Sequence, residues 1–327
     1  MLQYTYRADA PPTRRSASNM DQRWTDYAPI AGRPPLRWPG GARVALWISP
    51  NVLHYEYAPP QDPWLNMWTR MAQPDVLAYG RQDYGSRVGF WRMLEILDKH
   101  DAKCTACLNV EALERYPAIR DALVERQWRY LGHGINNSRF IYGHTEEEER
   151  AYYVEMRERI QDLTGMRMLG LGGPGPQAAT ESTPDILAEL GFLFHSDWFH
   201  DDQPMPLRVR QGRLISLPYA IEVNDAPFFG AAFEADQFAD VAKRQLDTLL
   251  AEGDRHGRVM CISLHPALIG QPQRARYLDE LLGYVLGKAG VWHTTADEIA
   301  EYYLANCYER MLAWLDERKR AVPGPAA

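Results

Sequence analysis

The chain has 327 residues, 46% hydrophobic and 24% charged, with a formal net charge of -7. That composition belongs to a well-cored globular protein, and the length fits one α/β barrel as well as two smaller domains. The acidic balance argues against a nucleic-acid partner, and no apolar run is long enough to span a membrane as a helix.

Residues 1–40 are rich in Pro, Arg and Ser and read as an extended arm, with Trp24 and Trp38 as anchors and the PGG of residues 39–41 as its end. Its start, MLQYTYRADAPPTRRSASNM, lacks the apolar core of a signal peptide. The expectation is therefore a cytoplasmic protein, away from cell-wall polymers.

RVALWISP (43–50) is nearly continuous in apolar residues, as a parallel strand buried on both faces should be. The long aromatic segment that follows, with Tyr55, Tyr57, Trp64 and Trp68, suits a lid or an oligomer contact. Helical spacing covers 86–100, and a strand is expected at 104–109. Cys104 and Cys107 form a CxxC pair there, but residues three apart on a strand face opposite ways, so buried small side chains are expected, not a metal or redox motif. A helix at about 116–127 and a strand at 128–134 come next. Thr145 before four glutamates marks a helix start, and Gly165 marks its end.

The alternation continues with a strand in RMLGLGG, a helix from Thr183, a strand in FLFHSDW and a strand pair around Gln211-Gly212. A long helix at 234–252, the strand RVMCISLH (258–265) and helices at about 273–287, 295–304 and 306–319 complete the chain. No internal repeat or low-complexity linker interrupts residues 41–320, so one barrel is expected there, with 321–327 as a tail.

Polar residues collect just after the strands: Asn51, His54 and Glu56; His133, Asn136 and Asn137; Asp197, Asp201 and Asp202; Glu222, Asn224 and Asp225; and His265. Parallel barrels gather their active sites at the carboxyl ends of strands, so these groups are candidates for one pocket. Each also has a plainer role. One histidine alone is more often a buried residue bonded to backbone, but two, each directly after a strand, favour a site. Asn136 and Asn137 also suit a turn, and Asp201 and Asp202 a solvated loop.

The order RVALWISPNV, DYGSRVGFWRMLEILDKHDAKCTACLN, GHGINNSR, ILAELGFLFHSDW, GRLISLPYAIEVND, MCISLHPALIGQP resembles the polysaccharide-deacetylase superfamily over about residues 41–305. The resemblance is to the branch that includes metal-independent allantoinases and related C–N hydrolases. It implies a distorted parallel (β/α) barrel, usually seven-stranded, and hydrolysis of a non-peptide amide. Typical members have an Asp as base, a second Asp and an H-x-x-x-H pair on zinc, and a late Leu-His as general acid. Here the late histidine matches His265 and the first of the pair His133. The second falls on Asn137, the base on Asn51 and the metal carboxylate on Leu53. Leucine cannot ligate a metal and amides replace imidazole poorly on zinc, so no metal ligand set is expected. Zinc stays open only if His54 or Glu56 supplies a ligand.

The expected function is hydrolysis of a C–N bond in a small cyclic amide, ureide or imide. His265, His133, Glu56 and Asn51 are the catalytic candidates. Asn137, Arg87, Glu222, Asn224, Asp225 and His54 are the substrate-binding ones, although Arg87 equally suits a helix-start ion pair. A metal-dependent N-deacetylase of an acetylated sugar and a non-catalytic barrel that binds a small ligand are the alternatives. The expected partners are a small-molecule substrate and further copies of the chain in a homo-oligomer.

Overall fold

The computed structural model of the protein describes residues 22–59, 74–139, 141, 143–172 and 179–321. Strand β1, Val44–Val52, is buried along its whole length, as its unbroken apolar run predicts. Its register against β8 (Arg258–Leu264) is parallel, from Val44 opposite Arg258 to Pro50 opposite Leu264. Two short strands pair with the opposite edge of β1. β9 (Val291–His293) pairs with Val44 to Leu46, and β2 (Thr105–Leu108) meets Asn51 and Val52.

From β2 the sheet continues through β3 (Arg129–Gly132), β4 (Gly170–Leu171), β5 (Phe194–His195) and β7 (Leu214–Ser216), all parallel, with β6 (Met205–Leu207) antiparallel at the edge. The sheet has nine strands; setting aside β6 and β9 leaves the seven parallel strands of the expected distorted barrel. β7 and β8 do not form a ladder among the described residues. The chain leaving β7 spans the gap instead, where Ser263 N–H donates to Val223 O at 3.0 Å and Asn224 bridges to Ser263.

The helices are α1 (Val76–Tyr84), α2 (Phe90–Lys99), α3 (Val110–Arg115), α4 (Pro117–Glu125), α5 (Glu146–Thr164), α6 (Thr183–Glu189), α7 (Asp225–Gly230), α8 (Ala235–Glu252), α9 (Pro272–Leu286), α10 (Ala296–Asn306) and α11 (Tyr308–Ala321). α5 follows its sequence signals closely. Thr145 and Glu148 close a capping box, and Gly165 ends the helix at φ 72°. Four elements escape sequence patterning. α1 buries no side chain and so shows no apolar period, while α3, α7 and β9 are too short to show one. Among the described residues no helix is long and apolar enough to cross a membrane.

The described part of the arm is docked. Trp24 and Trp38 are buried, and Trp38 Nε1–H donates to Arg258 O at 2.8 Å. Arg33 and Asp201 form an ion pair with side chains only 4% and 11% exposed. Breaking such a pair costs about 3–5 kcal/mol, so Asp201 holds the arm and does not belong to a solvated loop. Trp64 and Trp68 lie outside the described residues, Tyr55 is partly buried and Tyr57 is exposed. Cys104, Cys107, Cys261 and Cys307 are all buried free thiols. Cys104 Sγ–H donates to Ala102 O and Cys107 Sγ–H to Gly172 O, so the two point to different surroundings.

The helix that starts at Val76 runs into α2 through a π-helical turn, Gly85–Gly89. Its glycines let the helix touch the loop that leaves β8. A β-carbon on Gly89 would stand 2.0 Å from Pro266 O, one on Gly85 2.7 Å from Ala267 N, and one on Gly270 2.4 Å from Gly89 O. Gly89→Ala should therefore push the 265–270 loop away and destabilise the fold by about 1–3 kcal/mol, an overpacking cost read from the denaturant midpoint. A midpoint equal to wild type would show that this contact can give way without strain.

Candidate active site

His265 follows directly on β8, and its fixed point is Asp225, the first residue of α7. The Asp225 carboxylate is 0% exposed, whereas the His265 side chain keeps 18% of its surface open. His265 Nδ1 lies 2.6 Å from Asp225 Oδ1, and the His265 backbone N–H donates to both carboxylate oxygens at 2.9 and 2.8 Å. With Asp225 ionised, Nδ1 carries the proton in this contact, which leaves Nε2 to exchange protons with a ligand. Asn224 is the cap of α7, its Oδ1 accepting from Ala226 N–H at 3.0 Å.

His133, at the end of β3, is buried, and its Nδ1–H donates to Gly172 O at 3.1 Å. Nε2 is thereby left as the acceptor. Burial holds its pKa below the ordinary 6.5, the Gly172 carbonyl and Asp197 work against that, and the charge of His265 lowers it further. The charge of His265 therefore reaches the His133 ring. Asn109, which sequence reasoning passed over, ties the neighbouring strand ends together. Its Oδ1 accepts from His54 N–H at 3.1 Å, and its Nδ2 donates to His133 O at 2.5 Å. No motif flags such an asparagine, since its signal is contact between distant segments.

Asn137 stands beside both the His133 ring and the Tyr55 hydroxyl, and its Oδ1 has no hydrogen-bond partner among the described residues. Burial raises the Tyr55 pKa far above the ordinary value, so the phenol stays protonated. The Asn137 backbone N–H donates to His54 O at 2.9 Å, so His54 fixes Asn137 through the main chain. The His54 ring turns elsewhere, with Nδ1 3.1 Å from Tyr116 Oη and Nε2 3.7 Å from Glu111 Oε2.

Several sequence candidates take other roles. Asn51 Nδ2 donates to Ser263 Oγ at 2.9 Å and also meets Ser49 O and Leu264 O at 3.1 Å. Two hydrogens already have three acceptors, so Asn51 braces β1 against β8 and has no N–H left for an oxyanion. Glu56 is held by Arg139, with Arg139 Nη2 at 2.9 Å and Nε at 3.1 Å from its two oxygens, so both oxygens already have a partner. The Arg87 side chain is 73% exposed and pairs with Asp83 at 2.5 Å, four residues back on the same helix. Glu222 is exposed. His195, also passed over, is fully buried with Nε2 3.1 Å from Asp197 Oδ2, at an angle that makes a poor hydrogen bond.

The donors do not suit zinc. Of the positions the resemblance assigns to a metal, only His133 carries a ligating group, since Leu53 has none and Asn137 offers an amide. Among the described residues no three His, Cys, Asp or Glu groups converge as a metal site. A surface groove between α2 and α4, lined by Trp91, Glu95, Asp98, Ala122 and Arg126, lies on the outer helical layer, and neither histidine lines it.

No protein-family model matches the chain. It is 29% identical over 239 residues to a "putative polysaccharide deacetylase" of Schizosaccharomyces pombe, an alignment covering 68% of this chain and 75% of that one. The structure superposes on a "probable polysaccharide deacetylase" from Pseudomonas aeruginosa PAO1 with a TM-score of 0.73 and 27% identity, over 84% of this chain and 95% of that one. It superposes on PuuE allantoinase with a TM-score of 0.73 and 27% identity, over 86% and 98%. By sequence and by fold the chain is similar to members of the polysaccharide-deacetylase superfamily with the NodB-like barrel, which are hydrolases of non-peptide carbon–nitrogen bonds.

Proposed function

We propose that the protein opens a small cyclic amide, ureide or imide by hydrolysis of its C–N bond, without a metal. The observation that carries this reading is the Asp225–His265 pair at 2.6 Å, with the carboxylate fully buried and the imidazole open to the site. Amide hydrolysis needs an activated water, a stabilised oxyanion and a proton for the leaving nitrogen. In this reading His133 Nε2 takes the proton of the attacking water. The water oxygen adds to the carbonyl carbon, and His265 Nε2–H protonates the nitrogen as the C–N bond breaks. Asp225 stabilises the imidazolium of His265, much as the buried aspartate does in a catalytic triad. Tyr55 Oη–H and the Asn137 amide are the donors proposed for the oxyanion and the polar edge of the ring. Glu56 and Asn51 drop out as catalysts on the contacts described above.

The printed name of PuuE allantoinase makes cyclic ureides the first substrates to try. Ring opening of allantoin and of hydantoins, followed with and without chelator, tests the reading. Turnover unaffected by chelator is expected, and activity that chelator removes and zinc restores would replace it with the metal-dependent deacetylase. His265→Ala should abolish turnover. Asp225→Asn, which keeps the shape but loses the charge, should lower kcat about 10²–10⁴-fold with a folded protein by circular dichroism.

The pH dependence has a definite sign. His133 acts as a neutral base, and its pKa lies below the ordinary 6.5, so kcat/KM should hold as pH falls to 6.5 and decline only below it. The midpoint belongs to the histidine pair jointly. Stability follows the same direction, because the unfolded chain binds the proton first and the fold loses stability as pH falls below 6.5. An acid limb centred above 6.5 would remove His133 from the role of base.

A further inference from the structure

Arg274 occupies the third position of α9, just past the loop that leaves His265. Its guanidinium lies over the Phe229 ring, 3.8 Å from the centroid, and Nη1–H donates to Leu268 O at 3.1 Å. Both supports belong to the segments that hold the catalytic pair. Phe229 is on α7, which opens with Asp225, and the Leu268 N–H donates to His265 O at 2.8 Å. The Arg274 side chain therefore bears on the Asp225–His265 pair from both sides, while remaining partly open to solvent.

Apart from the Phe229 ring, nothing described around this side chain pairs with its charge. Arg274 makes no ion pair among the described residues. The charges it senses are those of Asp225, Arg81 and Glu234, and Asp225 is already committed to His265. A cation in the first turn also sits at the positive end of the helix dipole, a cost of about 0.3–1 kcal/mol. The attraction of the cation for the Phe229 ring, about 0.5–1 kcal/mol, does no more than offset that cost. The hydrogen bonding is one-sided as well. Nη1 is spent on Leu268, and the Nε and Nη2 edge, the side-on fork that matches a carboxylate, has no partner among the described residues.

We propose that Arg274 is the anion receptor of the active site, so that the substrate carries a carboxylate which docks on the Nε/Nη2 edge and sets the scissile amide against His265. This rests on the proposed C–N hydrolysis for what happens to the bound molecule, and it narrows the substrate class to cyclic amides or ureides with a carboxylate side arm. Arg274 is then a specificity residue. It contacts the substrate away from the reacting bond, and its binding energy orients that bond.

The test compares two probes that share one ring, hydantoin-5-acetate and the neutral 5-methylhydantoin, titrated calorimetrically into the full-length protein and its Arg274→Gln and Arg274→Lys variants. Wild type should bind the acid about tenfold or more tighter than the neutral ring. In Arg274→Gln that ratio should collapse to near one. Arg274→Lys, which keeps the charge and the aliphatic packing but not the fork, should retain only part of it. The proposal is overturned if wild type binds the two probes equally or binds neither at 10 mM. It is also overturned if the ratio survives in both variants while overall affinity falls, the signature of a strut that merely shapes the loop. Ring opening is assayed separately. Arg274-dependent binding without ring opening fails the hydrolase reading alone, and equal kcat/KM on both hydantoins fails the anion receptor alone.

Discussion

The site depends on one buried charge. Asp225 has been taken wholly out of water, and a bare carboxylate there would cost several kcal/mol. Two N–H groups, a backbone amide that reaches both oxygens and an imidazole, replace its hydration through three contacts, and both come from His265. The charge and the histidine thus fix each other, and neither tolerates a shift of the two chain segments that carry them. This explains the surroundings. The Asn224–Ser263 bridge joins those segments where the ladder between β7 and β8 is missing. The glycine contacts of the π turn press on the same loop from the other side.

The barrel centre is built in a different spirit. Where typical members of the superfamily are expected to have an acid, Asn51 forms a neutral clamp between β1 and β8. Leu53 and Asn137 likewise offer no negative charge. The carboxylates described at the mouth are engaged, Glu56 by Arg139 and Asp225 by the two N–H donors of His265. A site of this kind repels neither a neutral ring nor an anionic one. The buried His133 fits that balance, since burial and the neighbouring imidazole both favour its uncharged form.

The fold was largely legible in the sequence because its signals are local. The apolar run of β1, the Thr145 capping box and Gly165 each act within a few residues. The positions of His133 and His265 straight after buried strands were legible too, because the apolar runs before them are local. What failed were inferences that depended on where a side chain points. Arg87 suited a site residue or a helix-start ion pair equally, and the pair with Asp83 is what forms, while Gly85 and Gly89 of the same motif supply the lack of bulk at a contact with residues far along the chain. Asn51 and Glu56 had suitable chemistry, but each was already consumed by a partner, Ser263 in one case and Arg139 in the other. Asp225 was counted among possible substrate contacts, and only the short α7, invisible to periodicity, turns it towards His265.

The four cysteines have a use that chemistry did not assign to them. Burial holds their pKa values up, so in the closed protein they present almost no thiolate to a reagent. Cys107 and Cys261 sit on β2 and β8, strands on either side of β1, whereas Cys307 lies at the junction of α10 and α11. Each is a built-in clock for a different part of the molecule. The order in which they become chargeable with an alkylating label would rank the breathing of the strands against the fraying of the C-terminal helices, with no engineered probe required.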